Sequence, residues 1–172
     1  MNYLNGKSVY LCGAMQGYED HGAGWRDKLT PFLKEKGIEV VDPTKTSSNG
    51  VSEVGDDKKR FRELVLKENW TQLKEEFWPI VRKDLRAVDK ADFLICYYDP
   101  TIPTVGTIHE LVVASAQKKP IFLKYDVERL NNFNPWISCL IKQKYFHNSW
   151  DSLKEHLCLV DRGEFDTSYW TL

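Results

Sequence analysis

Short apolar runs recur along the chain and alternate with longer stretches in which apolar residues follow a helical spacing. A short apolar run bounded by turn residues is typical of a strand that is buried on both faces. Because the runs alternate with helical stretches from end to end, the pattern predicts an α/β fold in which helices cover both faces of a five-stranded parallel sheet. The predicted strands are residues 8–13, 38–41, 93–98, 120–123 and 144–147.

Two prolines complicate the helical stretches. Residues 22–37 form one such stretch, with Trp25 and Leu29 on its apolar face. Pro31 lies inside it and leaves two alternatives, a kink within one helix or a shorter helix that Thr30 caps. The other predicted helices are residues 56–77, a second helix that follows Pro79, residues 109–117 and residues 149–157.

A polar segment follows the second predicted strand. Residues 44–55 are rich in Thr, Ser, Asn and Gly, which is the composition of a loop. Loops of this length are often functional, so we expect a lid-like insertion at about residues 44–77 within a single domain of residues 1–172. In the helix after this insertion, Phe77, Val81 and Leu85 share one face, and Asp84 falls beside that stripe.

Composition and charge narrow the classes of protein. The 172 residues are 42% hydrophobic and 28% charged, which is ordinary for one globular domain. A formal net charge of −1 gives no electrostatic basis for binding nucleic acid. No apolar stretch is long enough to cross a bilayer. We therefore expect a cytoplasmic protein that binds neither nucleic acid nor a membrane.

The cysteines and tryptophans carry weaker signals. The four cysteines lack the spacing of a zinc site or a redox pair, so we expect no metal site. Cys12 and Cys96 lie inside apolar runs and are expected to be small buried hydrophobes. The six tryptophans are many for this length, and some are expected to face a partner subunit.

A set of short motifs carries the candidate chemistry. The motifs are YLCGAMQG at residues 10–17, DLRAVDKADFLI at 84–95, VGTIHELVVA at 105–114, KPIFL at 119–123 and NPWI at 134–137. In order and spacing they resemble the nucleoside 2-deoxyribosyltransferase family, over roughly two-thirds of the chain. The resemblance implies a flavodoxin-like (Rossmann-like) three-layer sandwich.

The resemblance also implies roles for three side chains. It implies that Glu110 attacks the anomeric carbon of a 2-deoxyriboside and forms a covalent deoxyribosyl-enzyme. A carboxylate suits this step because it stabilises the positive charge that develops at that carbon. Asp84 matches the residue that gives a proton to the leaving base, and Tyr10 matches the tyrosine that holds the nucleophile. We expect backbone N–H groups to orient Glu110 in the first turn of its helix, and the adjacent His109 to point elsewhere.

The remaining site residues are expected from two sources. In open parallel sheets the ligand lies at the carboxyl ends of the strands, which places the turns after the first and third strands around one pocket. The resemblance implies that a second segment is lent by a neighbouring subunit, so the active unit is expected to be a homo-oligomer with shared sites. The predicted substrate-binding residues are Gly13, Gln16, Asp99, Thr104 and Gly106. Asn134 and Trp136 are expected to bind substrate in the site of the neighbouring subunit.

Substrate and reaction are left with alternatives. A transferase would act on a deoxynucleoside and a free nucleobase, and no cofactor is expected. Thr104, six positions before Glu110, is similar to a residue of the related deoxynucleoside 5′-monophosphate N-hydrolases. Those hydrolases tend to have an arginine where this chain has Gln16, so the two positions favour different substrates. A nucleotide-binding module without catalysis and a NAD glycohydrolase are further alternatives.

Overall fold

A parallel sheet forms the centre of the structure, a computed structural model that describes residues 2–45, 50–51 and 55–168. Its strands are β1 (Ser8–Gly13), β2 (Glu39–Val41), β3 (Phe93–Tyr98), β4 (Ile121–Tyr125) and β5 (Phe146–His147). All neighbouring strands pair in parallel, in the order β2-β1-β3-β4-β5. This is the flavodoxin-like strand order. It confirms the predicted fold class.

Helices cover both faces of the sheet. In the described residues they are α1 (Ala23–Glu35), α2 (Asp56–Leu66), α3 (Trp70–Lys90), α4 (Val105–Ala116), α5 (Pro135–Leu140) and α6 (Trp150–Arg162). On one face, Tyr10 of β1 reaches Glu110 of α4. On the other face, Tyr97 of β3 contacts Trp25 of α1 and Trp150 of α6. The three layers are therefore helix, sheet and helix.

The main core lies along the three central strands. Leu11, Ile95 and Phe122 are fully buried there, as expected for strands with helices on both sides. A second, smaller cluster of Phe61, Leu64 and Ile80 joins α2 to α3. Burying a side chain of this size contributes about 1.5–3 kcal/mol, so α2 is held against α3 by its own apolar contacts.

α1 runs without interruption through Pro31. It spans Ala23–Glu35, and Gly22 is its N-cap residue. Thr30 does not cap a shorter helix, since its hydroxyl donates to the carbonyl oxygen of Arg26 at 2.7 Å within α1. The second of the two alternatives for this stretch is therefore wrong.

The break predicted at Pro79 lies elsewhere. α3 continues through Pro79, and the chain turns instead between α2 and α3. Glu68 has a φ of 53° there, and the side chain of Asn69 accepts a hydrogen bond from the Gln72 N–H at 3.3 Å. An asparagine at the N-cap satisfies a backbone donor that would otherwise be unpaired. A proline removes only one such bond from a long, well-packed helix.

Other boundaries differ by a few residues. α4 begins at Val105 rather than at residue 109, β4 extends to Tyr125, and α6 continues to Arg162. The short helix α5 was not among the predicted elements. Of the predicted lid, residues 46–49 and 52–54 lie outside the described residues, and Pro43–Lys45 forms a short 3-10 helix. Across the described ranges, no helix has the length and apolar character to span a membrane.

Candidate active site

A cavity of about 350 Å³ lies at the carboxyl end of β1, between the turn that follows this strand and helices α3 and α4. The strand order changes direction between β1 and β3, and this is where flavodoxin-like folds bind ligands. The predicted site residues that line the cavity are Tyr10, Gly13, Gln16, Asp84, Thr104, Gly106 and Glu110.

Glu110 lies at the floor of this cavity and accepts two hydrogen bonds from β1. The Tyr10 hydroxyl donates to Oε1 at 2.7 Å, and the Cys12 thiol donates to Oε2 at 3.0 Å. Tyr10 and Cys12 are two residues apart in a strand, so their side chains point to the same face. Glu110 itself is only 9% exposed. The carboxylate is thus fixed at both oxygens.

Burial keeps both donors protonated. Burial, followed by the Glu110 charge, raises the pKa of Tyr10 well above its usual 10.0. Burial, followed by the neighbouring Cys96, raises the pKa of the Cys12 thiol well above 9.0. A protonated hydroxyl and a protonated thiol can donate to a carboxylate. Cys12 is buried, as expected, but its thiol also donates to Glu110, which the sequence did not indicate.

Glu110 is not in the first turn of its helix. Because α4 begins at Val105, Glu110 lies in the second turn, where its own backbone N–H belongs to the regular helix. The expectation that first-turn N–H groups orient Glu110 is therefore wrong. The side chains of Tyr10 and Cys12 in β1 orient it instead. His109 also differs from expectation, because it lines the cavity, at an exposed position.

Asp84 of α3 faces the same cavity from another side. It is 7% exposed, and its Oδ1 is buried without a hydrogen bond. Lys83 Nζ lies 3.4 Å from that oxygen as an ion pair, but not in hydrogen-bonding geometry. Burial raises the pKa of Asp84 above 3.8, although Lys83 acts in the opposite direction. The site thus holds one carboxyl group with two donors, Glu110, and one whose pKa burial raises, Asp84.

An apolar wall completes the cavity. Phe77, Val81 and Leu85 of α3 line it, and Met15 and Pro103 add apolar surface from two loops. The helical spacing of Phe77, Val81 and Leu85 was visible in the sequence as one face. Sequence reasoning did not identify that face as part of the site, because the same spacing is typical of a helix packed into the core.

Arg26 holds the loop that forms one side of the cavity, and sequence reasoning missed it. The side chain is fully buried. Its guanidinium donates to the carbonyl oxygens of Leu11 at 3.2 Å, Gly22 at 2.7 Å and Gly13 at 2.9 Å. Gly13 itself has a φ of 152°, and an added Cβ would lie 2.9 Å from the Tyr97 carbonyl oxygen. The loop shape therefore depends on both a glycine and an arginine.

Asp99 does not line the cavity. It is buried, and its carboxylate accepts hydrogen bonds from the Tyr18 hydroxyl at 2.7 Å and the Thr101 N–H at 2.9 Å. Arg129 forms an ion pair with it as well. With these partners Asp99 holds the turn after β3 in place. Its position does not support the expected contact with substrate in the cavity of its own chain.

Asn134 and Trp136 also lie away from the cavity of their own chain. Asn134 is the N-cap of α5, and its side chain accepts a hydrogen bond from the Trp136 N–H at 2.9 Å. The Trp136 side chain is 70% exposed. In the described part of the chain, no group of three or more His, Cys, Asp or Glu side chains is placed to hold a metal ion.

The chain is similar to a known protein family and to several solved structures. The model of the family described as nucleoside 2-deoxyribosyltransferase matches residues 9–149. No curated protein matches the chain. Among solved structures, a conserved protein from Enterococcus faecalis aligns with a TM-score of 0.62 at 18% identity, covering 90% of this chain and 98% of that one.

Two further similar structures are of proteins described by an enzymatic activity. The 2-deoxyribosyltransferase of Bacillus psychrosaccharolyticus aligns with a TM-score of 0.56 at 17% identity, covering 94% of this chain and 93% of that one. A CMP N-glycosidase of Clostridium botulinum aligns with a TM-score of 0.47 at 21% identity, covering 89% and 100% respectively. Since the family model extends from β1 to the start of α6, the chain belongs to the nucleoside 2-deoxyribosyltransferase family.

Proposed function

We propose that this protein is a nucleoside 2-deoxyribosyltransferase that cleaves the N-glycosidic bond of 2′-deoxyribonucleosides and passes the sugar to another nucleobase. The observation that carries the proposal is the pairing, in one cavity, of a carboxylate held by two donors, Glu110, with a buried carboxyl of raised pKa, Asp84. Membership of the family supports the same chemistry.

The proposed first step is displacement at the anomeric carbon. A Glu110 oxygen forms a bond to C1′ while the bond from C1′ to the base nitrogen breaks. The electron pair of the broken bond stays with the base, and Asp84 gives a proton to a ring nitrogen so that the base leaves neutral. Proton donation of this kind contributes about a hundredfold to ten-thousandfold to the rate.

The proposed second step reverses the first with a different base. The ring nitrogen of an incoming nucleobase attacks C1′ of the deoxyribosyl ester, Asp84 takes up the proton that this nitrogen loses, and Glu110 leaves as a carboxylate. If water enters instead of a base, the products are free deoxyribose and the regenerated enzyme. Transfer and hydrolysis therefore differ only in the acceptor.

The lining of the cavity favours a neutral nucleoside over a charged nucleotide. Among the described residues that line it, none is a lysine or an arginine, and His109 is exposed. The apolar wall of Phe77, Val81 and Leu85 suits the flat face of a base, and Gln16 offers an amide to the sugar. A cavity of about 350 Å³ is within the range of small-molecule sites, about 300–1,000 Å³.

A 5′-monophosphate N-hydrolase is the second candidate, and one observation favours it. Thr104 is the N-cap residue of α4, and its side chain makes no capping hydrogen bond. The first-turn N–H groups of α4 are therefore available at the cavity, and such groups bind phosphate. The nucleotide would then place its phosphate beside Thr104 and Gly106, both of which line the cavity.

The active unit is proposed to be a homo-oligomer in which Asn134 and Trp136 complete the site of a neighbouring subunit. The exposure of Trp136 supports the proposal, because a tryptophan that is 70% exposed offers a large apolar surface to a partner.

The deciding experiment is chromatography of thymidine or deoxyinosine after incubation with the protein, with and without free adenine. We expect deoxyadenosine to form when adenine is present. Release of free sugar and base alone would replace the transferase by a hydrolase, and faster cleavage of thymidine monophosphate would favour the second candidate. Cleavage of NAD but not of deoxyribosides would assign a NAD glycohydrolase instead, and no product from any of these compounds would leave a binding module.

A further inference from the structure

Two side chains of β1, Tyr10 and Cys12, donate to Glu110. The sequence predicted this role for Tyr10 but not for Cys12. Cys12 lies in β1, fully buried, with its Sγ 3.0 Å from Glu110 Oε2. Tyr10, two residues earlier on the same strand, donates to the other oxygen, Oε1. The two donors come from one rigid element, so together they fix the plane of the carboxylate as well as its position.

We propose that Cys12 is a positioning residue for Glu110, whose thiol holds Oε2 and thereby orients the carboxylate for attack on the anomeric carbon. This inference rests on the proposed function of Glu110 as the nucleophile. Cys12 forms and breaks no covalent bond in the reaction, and its proton stays on sulfur.

A thiol suits this position better than a stronger donor. A hydrogen bond from S–H is weak, so it orients an oxygen while withdrawing little of the negative charge that the nucleophile needs. A hydroxyl at the same place would hold the oxygen more tightly and reduce its nucleophilicity. An apolar side chain has no proton to donate to Oε2.

The burial of Cys12 keeps it in the donating form. Burial, Cys96 and Glu110 all raise the pKa of the thiol, so it stays protonated at neutral pH. Cys96 is the partner of Cys12 in the pairing of β1 with β3 and is equally buried. Cys96 therefore provides a matched control for any substitution in this part of the core.

The test compares Cys12→Val, Cys12→Ser and Cys96→Val by steady-state kinetics of deoxyribosyl transfer. For Cys12→Val we expect kcat to fall about tenfold with KM nearly unchanged, since one hydrogen bond to a charged group is lost. We also expect the acidic limb of the kcat/KM profile to move to higher pH, because a carboxylate with one donor fewer is more easily protonated. Cys12→Ser, which keeps a donor but a stronger one, should have a kcat between those of Cys12→Val and wild type, and Cys96→Val should behave as wild type.

A second measurement keeps this inference separate from the proposed function. In protein labelled with ¹³C at glutamate carboxyl carbons, the Glu110 signal is assigned by its loss in Glu110→Gln and titrated in each variant. Its midpoint is expected to rise in Cys12→Val and not in Cys96→Val, even if no deoxyribosyl transfer is found in wild type. Equal midpoints in the two valine variants, or equal losses of kcat, would overturn the role of Cys12 and leave it a packing residue. If wild type shows no transfer but the Glu110 midpoint still rises in Cys12→Val, the contact with Cys12 is supported and the proposed function of Glu110 is contradicted.

Discussion

At the scale of single residues, the two carboxyl groups of the cavity differ in what surrounds them. Glu110 accepts hydrogen bonds from Tyr10 and Cys12 at its two oxygens. Asp84 has a buried Oδ1 without a hydrogen bond, and burial raises its pKa. Different surroundings allow two carboxyl groups of one site to take different roles, one as nucleophile and the other as acid.

Replacing Asp84 by asparagine tests the acid. Asp84→Asn is expected to slow cleavage of deoxyinosine by about a hundredfold to ten-thousandfold, because the leaving base no longer receives a proton. A deoxyriboside of a 7-methylated purine, whose base leaves without needing a proton, should be cleaved at nearly the wild-type rate. In wild type, activity should fall as the pH rises through the raised pKa of Asp84, and this limb should disappear in Asp84→Asn. Equal losses on both substrates would reassign Asp84 to binding. Asp99→Asn serves as the control, because Asp99 is a buried carboxylate outside the cavity.

At the scale of elements, the sequence determined the strands and the order of the helices more clearly than the ends of the helices. Both internal prolines suggested breaks, yet α1 and α3 continue through Pro31 and Pro79. Tertiary packing compensates for one missing backbone bond, and no local pattern reveals that packing. The true turn has a local signal, the cap formed by Asn69 with the Gln72 N–H.

In the site too, the sequence revealed the residues that belong to motifs but not the contacts that depend on tertiary structure. Motif resemblance brought Tyr10, Asp84 and Glu110 together because their spacing along the chain is distinctive. The role of Cys12 could have been inferred from the two-residue alternation of β1, which puts it on the face of Tyr10. The buried contacts of Arg26 with three carbonyl oxygens depend on tertiary structure, and a charged residue in an amphipathic helix gives no sign of them.

The contacts of Arg26 with the loop after β1 can be tested by substitution. Arg26→Lys should lower the free energy of unfolding by about 2–4 kcal/mol, because one ammonium cannot reach three carbonyl oxygens that are left partly unpaired. The loop of Gly13 and Gln16 should also lose its shape, so KM should rise more than kcat falls. Denaturant unfolding and steady-state kinetics measure the two effects. Arg62→Lys, at an exposed position on α2, should change stability by less than about 0.5 kcal/mol, and an equally stable Arg26→Lys would show that the loop holds its shape without the guanidinium.

At the scale of the whole molecule, a buried histidine pair far from the cavity makes stability depend on pH. His147 Nε2 lies 3.2 Å from His156 Nδ1, and His147 Nδ1 lies 3.0 Å from Ser152 Oγ. Burial lowers the pKa of His147 from 6.5 to about 4. Burial, then His147 and Lys144, lower that of His156 from 6.5 to about 4.

This pair predicts a window of acid destabilisation. The unfolded chain binds protons on these imidazoles at higher pH than the folded chain, so stability rises with pH between the two pKa values. Their contribution is fully present above about pH 6.5, falls by on the order of a few kcal/mol as the pH drops to about 4, and changes no further below that. Urea unfolding from pH 7 to pH 4 should show the slope. His156→Phe should flatten it and His21→Asn, at an exposed position, should not; an unchanged slope in His156→Phe would mean that other groups cause it.

Assembly is the second property of the whole molecule that can be tested. If Trp136 completes the site of a neighbour, a Glu110→Ala subunit and a Trp136→Ala subunit are each inactive alone. When mixed, some sites combine an intact Glu110 with an intact Trp136, and activity should return to a fraction of the wild-type value. Light scattering should show a closed symmetric oligomer. A fully active monomer at the assay concentration would contradict the shared site.

The fate of Glu110 during turnover decides whether it is the nucleophile. Wild-type protein that is mixed with a deoxyriboside and quenched with acid should carry one deoxyribosyl group on Glu110, located by mass spectrometry of its peptides. Glu110→Gln keeps the shape of the side chain but cannot form the ester, so it should fold normally, carry no adduct and lose nearly all turnover. Glu128→Gln, at an exposed position outside the cavity, should behave as wild type in both measurements. A Glu110→Gln variant with full activity, or an adduct on another residue, would show that Glu110 is not the nucleophile.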